Sequence, residues 1–264
     1  PLLYQVSTAG LEPDSIAYPL RKIFRDNKDF HFRMAEVERI DTVNNSILTS
    51  IGSLNYDYLV IATGTRTNFF GNENIAENSM PMKTVPQALN IRSLMLQNIE
   101  KADITTDERE RKRLLNFVIA GAGPTGVELA GALAEFRKGI LENDYPELEE
   151  EEMNVHLIEG LDRVLPPMSK QASEKAHKFL EKLGVQIHLE TFISDYDGKT
   201  VTTKDGQKFE TATFIWAAGV TGAPIKGIDG EALIEKANRY KVDGFNKIKG
   251  FENIYALGDV ALME

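Results

Sequence analysis

The chain has 264 residues, 42% apolar and 27% charged, a composition typical of globular proteins with one large or two ordinary domains. Its net charge of −10 argues against a nucleic-acid partner and provides no electrostatic attraction to anionic lipid. The absence of cysteine excludes a redox-active disulfide, thiolate catalysis and an iron–sulfur cluster within this sequence. No apolar run approaches the roughly 18 residues of a transmembrane helix. The four histidines lack metal-ligand spacing, so no metal site is predicted.

The first third of the chain predicts alternating helix and strand. Lys22–Phe32 reads as a helix and Met34–Val37 as a strand. The segment 44–65, NNSILTSIGSLNYDYLVIATGT, then predicts two strands around a turn near Ser50. A buried apolar strand follows and ends in Ala62-Thr63-Gly64.

A glycine-rich turn lies in the middle of the chain, in the sequence FVIAGAGPTGVELAGALAE of residues 117–135. An apolar strand leads into Gly121-Ala122-Gly123-Pro124-Thr125-Gly126, and an alanine-rich helix follows, with a proline where a helix start tolerates one. Strand, glycine turn and helix in this order hold the pyrophosphate of a dinucleotide against the helix N-terminus. The turn therefore predicts a dinucleotide site at Gly121, Gly123, Pro124, Thr125 and Gly126.

The next predicted strand ends in an acid. Val155–Ile158 is apolar apart from His156, and Glu159 follows it directly. An acid in this position accepts hydrogen bonds from the adenosine ribose and repels a 2′-phosphate, which favours NAD(H) over NADP(H). Glu159 lies 38 residues after Gly121, more than the usual spacing of about 20. The acidic stretch 142–152, read as a solvated extension of the preceding helix and the turn after it, accounts for most of the excess.

The segment 198–220, GKTVTTKDGQKFETATFIWAAGV, repeats the design of residues 44–65. It follows a helix predicted over Ser169–Gly184, contains a hairpin turn at Asp205-Gly206, and ends in a buried strand with Ala217-Ala218-Gly219. Trp216 is expected to lie in the core. Two such units indicate two dinucleotide-binding domains. In the second unit, the glycine turn at Gly121 precedes Gly219 by 98 residues. Gly64 lies too near the start of the chain for a glycine turn at the same distance before it, so we expect the chain to begin inside a domain.

The last signal is Phe251–Asp259, FENIYALGD, a short strand that ends in Gly258-Asp259. In these motifs the chain resembles the type II NADH dehydrogenases, which are single-subunit, non-proton-pumping NADH:quinone oxidoreductases. The resemblance covers essentially the whole chain. It is carried in order by PLLYQV at the start, DYLVIATG ending at Gly64, GAGPTGVELA from Gly121, WAAGV ending at Val220, and ALGDV ending at Val260.

The resemblance implies an α/β fold of two Rossmann-like domains, with an NADH domain inserted into an incomplete FAD domain. The implied boundaries are residues 1–83 for the first part of the FAD domain, 84–224 for the NADH domain, and 225–264 for the return to the FAD domain. NADH would pass a hydride to FAD, and electrons would continue to a quinone. The resemblance also implies peripheral attachment of the full-length protein to the cytoplasmic face of a membrane, through a C-terminal segment not found here. This fragment itself is expected to be soluble, and a homodimer is left open.

The resemblance assigns roles to several residues. Ala62, Thr63, Gly64, Gly258 and Asp259 would contact FAD, and the backbone near Val37 would meet its adenine, although an ordinary core strand fits Val37 equally well. Ala218 and Gly219 would line the nicotinamide pocket. Thr8 and Ala9 would approach the flavin ring.

Glu128 is the predicted catalytic residue, which would bind the nicotinamide end or relay protons to the quinone. The alternative is that it only complements the positive helix N-terminus.

Two other classes of protein remain open at this stage. One is a reductase of the same superfamily that passes electrons to a ferredoxin- or rubredoxin-type protein. The other is a non-catalytic module that binds NAD. Reduction of quinone by the full-length protein, and the presence of flavin in it, distinguish the three classes.

Overall fold

The computed structural model describes residues 2–263, so that Pro1, the first residue of the family-like segment, lies outside the described residues. The helices are, in chain order, α1 (Leu3–Ser7), α2 (Leu20–Ile23), α3 (Glu73–Asn78), α4 (Val85–Ile104), α5 (Glu108–Leu114), α6 (Pro124–Phe136), α7 (Glu142–Asp144) and α8 (Lys170–Lys182). The strands are β1 (Val37–Asp41), β2 (Ser46–Thr49), β3 (Gly52–Asn55), β4 (Leu59–Ile61), β5 (Thr65–Thr67), β6 (Met80–Pro81), β7 (Asn116–Ala120), β8 (Asn154–Ile158), β9 (Gln186–His188), β10 (Ile193–Tyr196), β11 (Thr200–Thr203), β12 (Lys208–Glu210), β13 (Thr213–Trp216), β14 (Val220–Gly222), β15 (Leu233–Ile234), β16 (Arg239–Val242), β17 (Ile254–Ala256) and β18 (Ala261–Met263).

The chain divides into two compact units. Unit 1 contains the residues up to Ala17 together with Asn68–Gly219, and unit 2 contains Tyr18–Thr67 together with the residues from Val220 onward. Asn68–Gly219 of unit 1 therefore interrupts unit 2, and Tyr18–Thr67 of unit 2 interrupts unit 1. The crossings fall earlier than the boundaries 83/84 and 224/225 implied by the resemblance. For the crossing at 67/68, the reason is that β6 pairs in parallel with β13, which assigns the segment after Asn68 to the sheet of unit 1.

Unit 1 is built on a five-stranded parallel sheet of order β6-β13-β7-β8-β9. Successive strands β7, β8 and β9 extend to one side of β7, whereas β13 and β6 lie on its other side. The connections reverse direction between β7 and β13, which is the topological switch point where α/β sheets bind ligands. A core of buried side chains from β7, β8, α4 and α6 includes Phe117, Leu129 and Met95. The predicted α/β class with a Rossmann-like domain is confirmed.

Local sequence signals explain the ends of the helices in unit 1. Thr84 caps α4 in a capping box with Gln87, and Pro86 occupies the first turn. Ser169 caps α8 through a hydrogen bond from the Ala172 amide, and Gly184 follows its end with φ +79°, as predicted. The predicted extension of α6 is confirmed as far as Asp144, because a π-helical turn over Arg137–Leu141 leads directly into α7. The rest of the acidic stretch forms turns, and Leu148 within it is buried.

Unit 2 is made mostly of short strands. β1-β2-β3 is an antiparallel sheet, β15-β16-β18 forms a second sheet, and β4 pairs in parallel with β17. Its core includes Ile40, Ile61 and Tyr240, all at most 2% exposed.

Two predicted elements of unit 2 were wrong in extent. The helix predicted over Lys22–Phe32 is only the four residues of α2, and the strand predicted over Met34–Val37 begins at Val37. Leu20, Ile23 and Phe24 stay between 39% and 54% exposed, so this segment lacks the tertiary burial on which a short helix depends. Over residues 2–263, no helix is long and apolar enough to span a bilayer.

Candidate functional site

The glycine turn after β7 has a backbone that only glycine supports. Gly121 has φ +94°, and a Cβ on it would lie 2.5 Å from the Cα of Ala218. A Cβ on Gly126 would collide with the carbonyl oxygen of Gly121. The Gly121 amide donates to the carbonyl of Ile158 at 2.7 Å, which ties the turn to β8. The turn, the first residues of α6 and the segment after β13 therefore pack at van der Waals distance.

Helix α6 begins at this turn with its amides available. Gly123 is the N-cap, Pro124 is the first helical residue, and no described side chain caps the helix. Pro124 and Thr125 are exposed, whereas Gly126 is buried. Free amides and the positive end of the helix dipole form a binding site for an anionic group such as a pyrophosphate. The space around Gly123 is open, because a Cβ on it would meet nothing within 4 Å. These residues fit the phosphates of a dinucleotide.

Glu159 lies directly after β8, as predicted, and its carboxylate is held in place by backbone amides. Oε2 accepts a hydrogen bond from the Ala122 amide at 2.7 Å, and Oε1 accepts one from the Leu161 amide at 3.0 Å. Two carboxylate oxygens offer about four acceptor positions. Glu159 can therefore still accept hydrogen bonds from a ribose while it stays bound to the glycine turn.

The segment after β13 completes this end of the sheet. Ala218 is exposed, and Gly219 accepts a hydrogen bond from the Asn68 amide at 3.0 Å. Gly121, Glu159 and Ala218 line one cavity of about 220 Å³. Three residues predicted from separate motifs thus meet at the switch point of the sheet. Trp216 is buried, at 6% exposed, as predicted for a core residue, and it also lines this cavity. Its indole donates to the carbonyl of Asn68 at 2.8 Å.

Glu128 lies elsewhere on α6. It is exposed and lines a cavity of about 480 Å³ together with Tyr4, Thr8 and Ala9. A further cavity of about 400 Å³ connects it with Pro124 and Thr125. The structure thus brings together Glu128, Thr8 and Ala9, all three of which the resemblance places near the flavin. It does not place Glu128 in the cavity that contains Glu159.

The predicted FAD-contacting residues lie in unit 2, at the ends of two neighbouring strands. Ala62-Thr63-Gly64 follows β4 and Gly258-Asp259 follows β17, and the parallel pairing of these strands places both ends on the same edge. The Leu257 amide donates to the carbonyl of Ile61 at 2.9 Å, and Thr63 Oγ1 donates to the carbonyl of Ala223 at 2.7 Å. Val37 begins β1 in a different sheet, so strand pairing does not bring it to this edge.

Unit 2 fits FAD in part. The adjacent ends of β4 and β17 provide glycine backbone and a carboxylate, which suits a flavin nucleotide. Within the described residues of unit 2, no glycine turn leads into a helix of more than four residues. The glycine turn and helix N-terminus that fit a pyrophosphate in unit 1 therefore have no equivalent in the described part of unit 2.

A histidine pair was missed by sequence reasoning. His156 on β8 and His188 on β9 have ring nitrogens 3.1 Å apart, and both rings pack edge-on against Phe209. Burial, and to a lesser degree the neighbouring His188, lower the pKa of His156 to about 4. Burial also lowers the pKa of His188. A prediction that β8 and β9 pair in parallel would have indicated that His156 and His188 lie close together. Within residues 2–263, no group of three side chains is placed to hold a metal ion.

The fold and the glycine-turn site together define an α/β protein with a dinucleotide-binding cavity of the Rossmann type. The family model for pyridine nucleotide-disulphide oxidoreductases matches residues 1–264, so the chain belongs to this family. It contains no cysteine, so this sequence supplies no disulphide of its own.

Similar curated proteins carry more specific names. The chain is 37% identical to the type II NADH:quinone oxidoreductase NdhA of Mycobacterium tuberculosis, over 98% of the chain and 58% of that protein. It is 32% identical to Ndh of the same organism, which has the same description, over 100% of the chain and 59% of that protein. The chain thus spans less than two thirds of these relatives. The resemblance drawn from the sequence motifs is confirmed.

A solved structure agrees on the fold. NDH2 from Plasmodium falciparum, in complex with NADH, matches with a TM-score of 0.89 at 23% identity, over 100% of this chain and 57% of that one.

Proposed function

We propose that this chain forms the NADH-binding part, and a portion of the FAD-binding part, of a type II NADH:quinone oxidoreductase. When bound, FAD would take a hydride from NADH and pass electrons to a quinone without proton pumping. The observation that supports this proposal best is the cavity in which Gly121, Glu159 and Ala218 meet at the carboxyl ends of β7, β8 and β13. The names of the curated relatives favour quinone over a ferredoxin-type acceptor.

Different residues of unit 1 would bind successive parts of NADH. The amides of the first turn of α6 would hold the pyrophosphate, and Glu159 would accept from the adenosine ribose hydroxyls. Ala218 and Gly219 would contact the nicotinamide end through their backbone, on the opposite side of the turn. A fixed carboxylate at Glu159 would repel a 2′-phosphate, so NADH would bind more tightly than NADPH.

Glu128 is proposed to act at the reacting end. It shares its cavity with Thr8 and Ala9, and it is exposed enough to exchange protons with solvent. A carboxylate there could hold the nicotinamide amide or relay protons towards the quinone. We further propose the domain division 1–83, 84–224 and 225–264 for the cofactor-binding domains of the complete enzyme, in which Val37, Ala62–Gly64, Gly258 and Asp259 would contact FAD. Attachment to the cytoplasmic face of a membrane and a homodimer belong to the same proposal.

The test begins with the purified chain, titrated separately with NADH and NADPH while nicotinamide fluorescence is followed. Saturable binding with a preference for NADH supports the proposal. Equal affinity for the two cofactors, or no binding of either, contradicts it. Visible absorbance of bound flavin that bleaches on anaerobic addition of NADH would show that the chain also holds FAD and completes hydride transfer. In the complete enzyme, NADH oxidation that depends on quinone, and not on a ferredoxin, tests the acceptor.

A further inference from the structure

An exposed phenylalanine lies in the wall of the dinucleotide cavity. Phe192 belongs to the loop between β9 and β10, and 53% of its surface is exposed. Its ring lines the 220 Å³ cavity together with Gly121, Glu159 and Gly160. The glycine motif and the acid account for the other residues of this wall, but neither accounts for an apolar ring that faces solvent.

The loop that carries Phe192 is tied to the loop that carries Glu159. The Thr191 amide donates to the carbonyl of Glu159 at 2.9 Å, and the Glu190 amide donates to the carbonyl of Leu161 at 3.0 Å. The loop that carries Phe192 is therefore bonded to Glu159 itself and to Leu161, whose amide also holds the Glu159 carboxylate.

The ring itself is also held in place. A Cβ on Gly160 would lie 2.7 Å from Cε1 of Phe192, so the absence of a side chain at position 160 makes room for the ring. Lys204, which follows β11, supports the loop from another side. Its amide donates to the carbonyl of Phe192 at 2.8 Å, and its ammonium lies 5.3 Å from the ring centroid. An exposed aromatic ring with this support is ready to bind without first becoming ordered.

The sheet order determines which part of a dinucleotide this ring would meet. β8 and β9 lie on one side of β7, and β13, with Ala218 at its end, lies on the other. Phe192 follows β9 and thus lies on the Glu159 side of the glycine turn in the strand order, with β7 and β8 between β9 and β13, although Phe192 and Ala218 both line the cavity. If Glu159 binds the adenosine ribose, the next group outward along the cofactor is the adenine base.

We infer that Phe192 is the adenine-positioning residue of the NADH site, and that Gly160 is the glycine that admits its ring. The inference rests on the proposed NADH site. Stacking of a purine on an aromatic side chain strengthens binding by roughly tenfold or more per base. The adenosine half of the cofactor would thus be gripped on one edge by Glu159 and on its base by Phe192.

The test compares Phe192→Ala with Phe179→Ala, a change at a phenylalanine that is 65% exposed on α8 and outside the cavity. Three probes are titrated: NADH, ADP-ribose, and reduced nicotinamide mononucleotide, which lacks the adenosine half. Phe192→Ala is expected to weaken NADH and ADP-ribose by roughly tenfold and to leave the mononucleotide unchanged. Phe192→Trp should restore binding of NADH and ADP-ribose, and Phe179→Ala should bind all three probes as the parent chain does.

Two outcomes overturn the inference while the NADH site stands. One is a Phe192→Ala protein that binds NADH and ADP-ribose like the parent. The other is an equal loss for all three probes, which would mean that the ring only supports the loop. If the parent chain binds neither NADH nor ADP-ribose, the proposed function fails and the inference fails with it. Gly160→Ala provides a second route, because it displaces the ring without removing it and should weaken ADP-ribose as Phe192→Ala does.

Discussion

The two units of the chain build their candidate sites in different ways. In unit 1, the turn, the helix and the acid lie between Phe117 and Glu159, and the sheet adds the loop after β9 and the segment after β13 from farther along the chain. In unit 2, the edge that would face a flavin joins Ala62–Gly64 to Gly258 and Asp259, almost two hundred residues later. The site of unit 1 depends mainly on the backbone geometry of one strand–turn–helix unit, so it can be predicted from the sequence. The candidate site of unit 2 depends on the pairing of strands that are far apart in the chain.

The largest expected effect breaks the local site of unit 1. Gly126→Val should abolish detectable NADH binding and lower stability, because its Cβ would collide with the Gly121 carbonyl in a part of the turn with no room to relax. Titration with NADH and thermal unfolding check both effects. Gly131→Ala is the matched control on the same helix. A Cβ there meets its nearest atom at an ordinary 3.8 Å, so the change should raise helix stability by about 0.5–1 kcal/mol. A Gly126→Val protein that binds NADH normally would show that the turn is not the pyrophosphate-binding site.

The second effect concerns stability in acid and is confined to unit 1. The pKa of His156 is lowered from an ordinary 6.5 to about 4 in the folded state, so between these values the unfolded chain binds the extra proton. Stability is therefore fully present above pH 6.5 and is lost as pH falls towards 4, by about 3 kcal/mol.

Denaturant unfolding across this pH window measures the loss. His156→Phe should flatten most of the dependence, leaving the part due to His188, whose pKa is also lowered by burial. His31→Gln, at an exposed position of unit 2, is the matched control for removal of a histidine outside the buried pair. An identical slope in His156→Phe would mean that the buried pair does not limit acid stability.

The third effect sharpens the role of the acid after β8. Glu159→Gln should weaken NADH binding by roughly tenfold to a hundredfold, because hydrogen bonds to a carboxylate contribute about 1.5–3 kcal/mol. Glu159→Gln should also reduce the preference for NADH over NADPH, since it removes the charge that repels a 2′-phosphate. Asp162→Asn removes one negative charge from the same loop without touching the proposed site, and it should change neither affinity. If Asp162→Asn and Glu159→Gln narrowed the NADPH preference equally, general charge and not a specific contact would set that preference.

The difference between the units also explains how much could be predicted from sequence. The glycine turn, Glu159 and the strand ending at Trp216 were placed correctly, because apolar strands, glycines and a terminal acid constrain the backbone locally. The contact of Gly121 with Ala218 was not predicted, because it depends on the parallel pairing of β7 with β13. Phe192 and the His156–His188 pair were not predicted, since their positions depend on which loops and strands lie side by side. The helix predicted over Lys22–Phe32 failed because its pattern of residues finds little burial in the described part of unit 2.

The smallest expected effect tests the long-range construction of unit 2. Tyr240 is fully buried, and its hydroxyl donates to the carbonyl of Ile225 at 2.9 Å and accepts from the Ile225 amide at 2.8 Å. Tyr240→Phe keeps the ring but leaves both backbone groups of Ile225 without this partner, which costs about 1–3 kcal/mol. Thermal unfolding should show the loss, while NADH affinity should stay at the parent value because Tyr240 and Ile225 both belong to unit 2. A fall in NADH affinity that matched the loss of stability would show that the unit 1 site depends on unit 2, and the contrast between a local and a long-range site would then no longer hold.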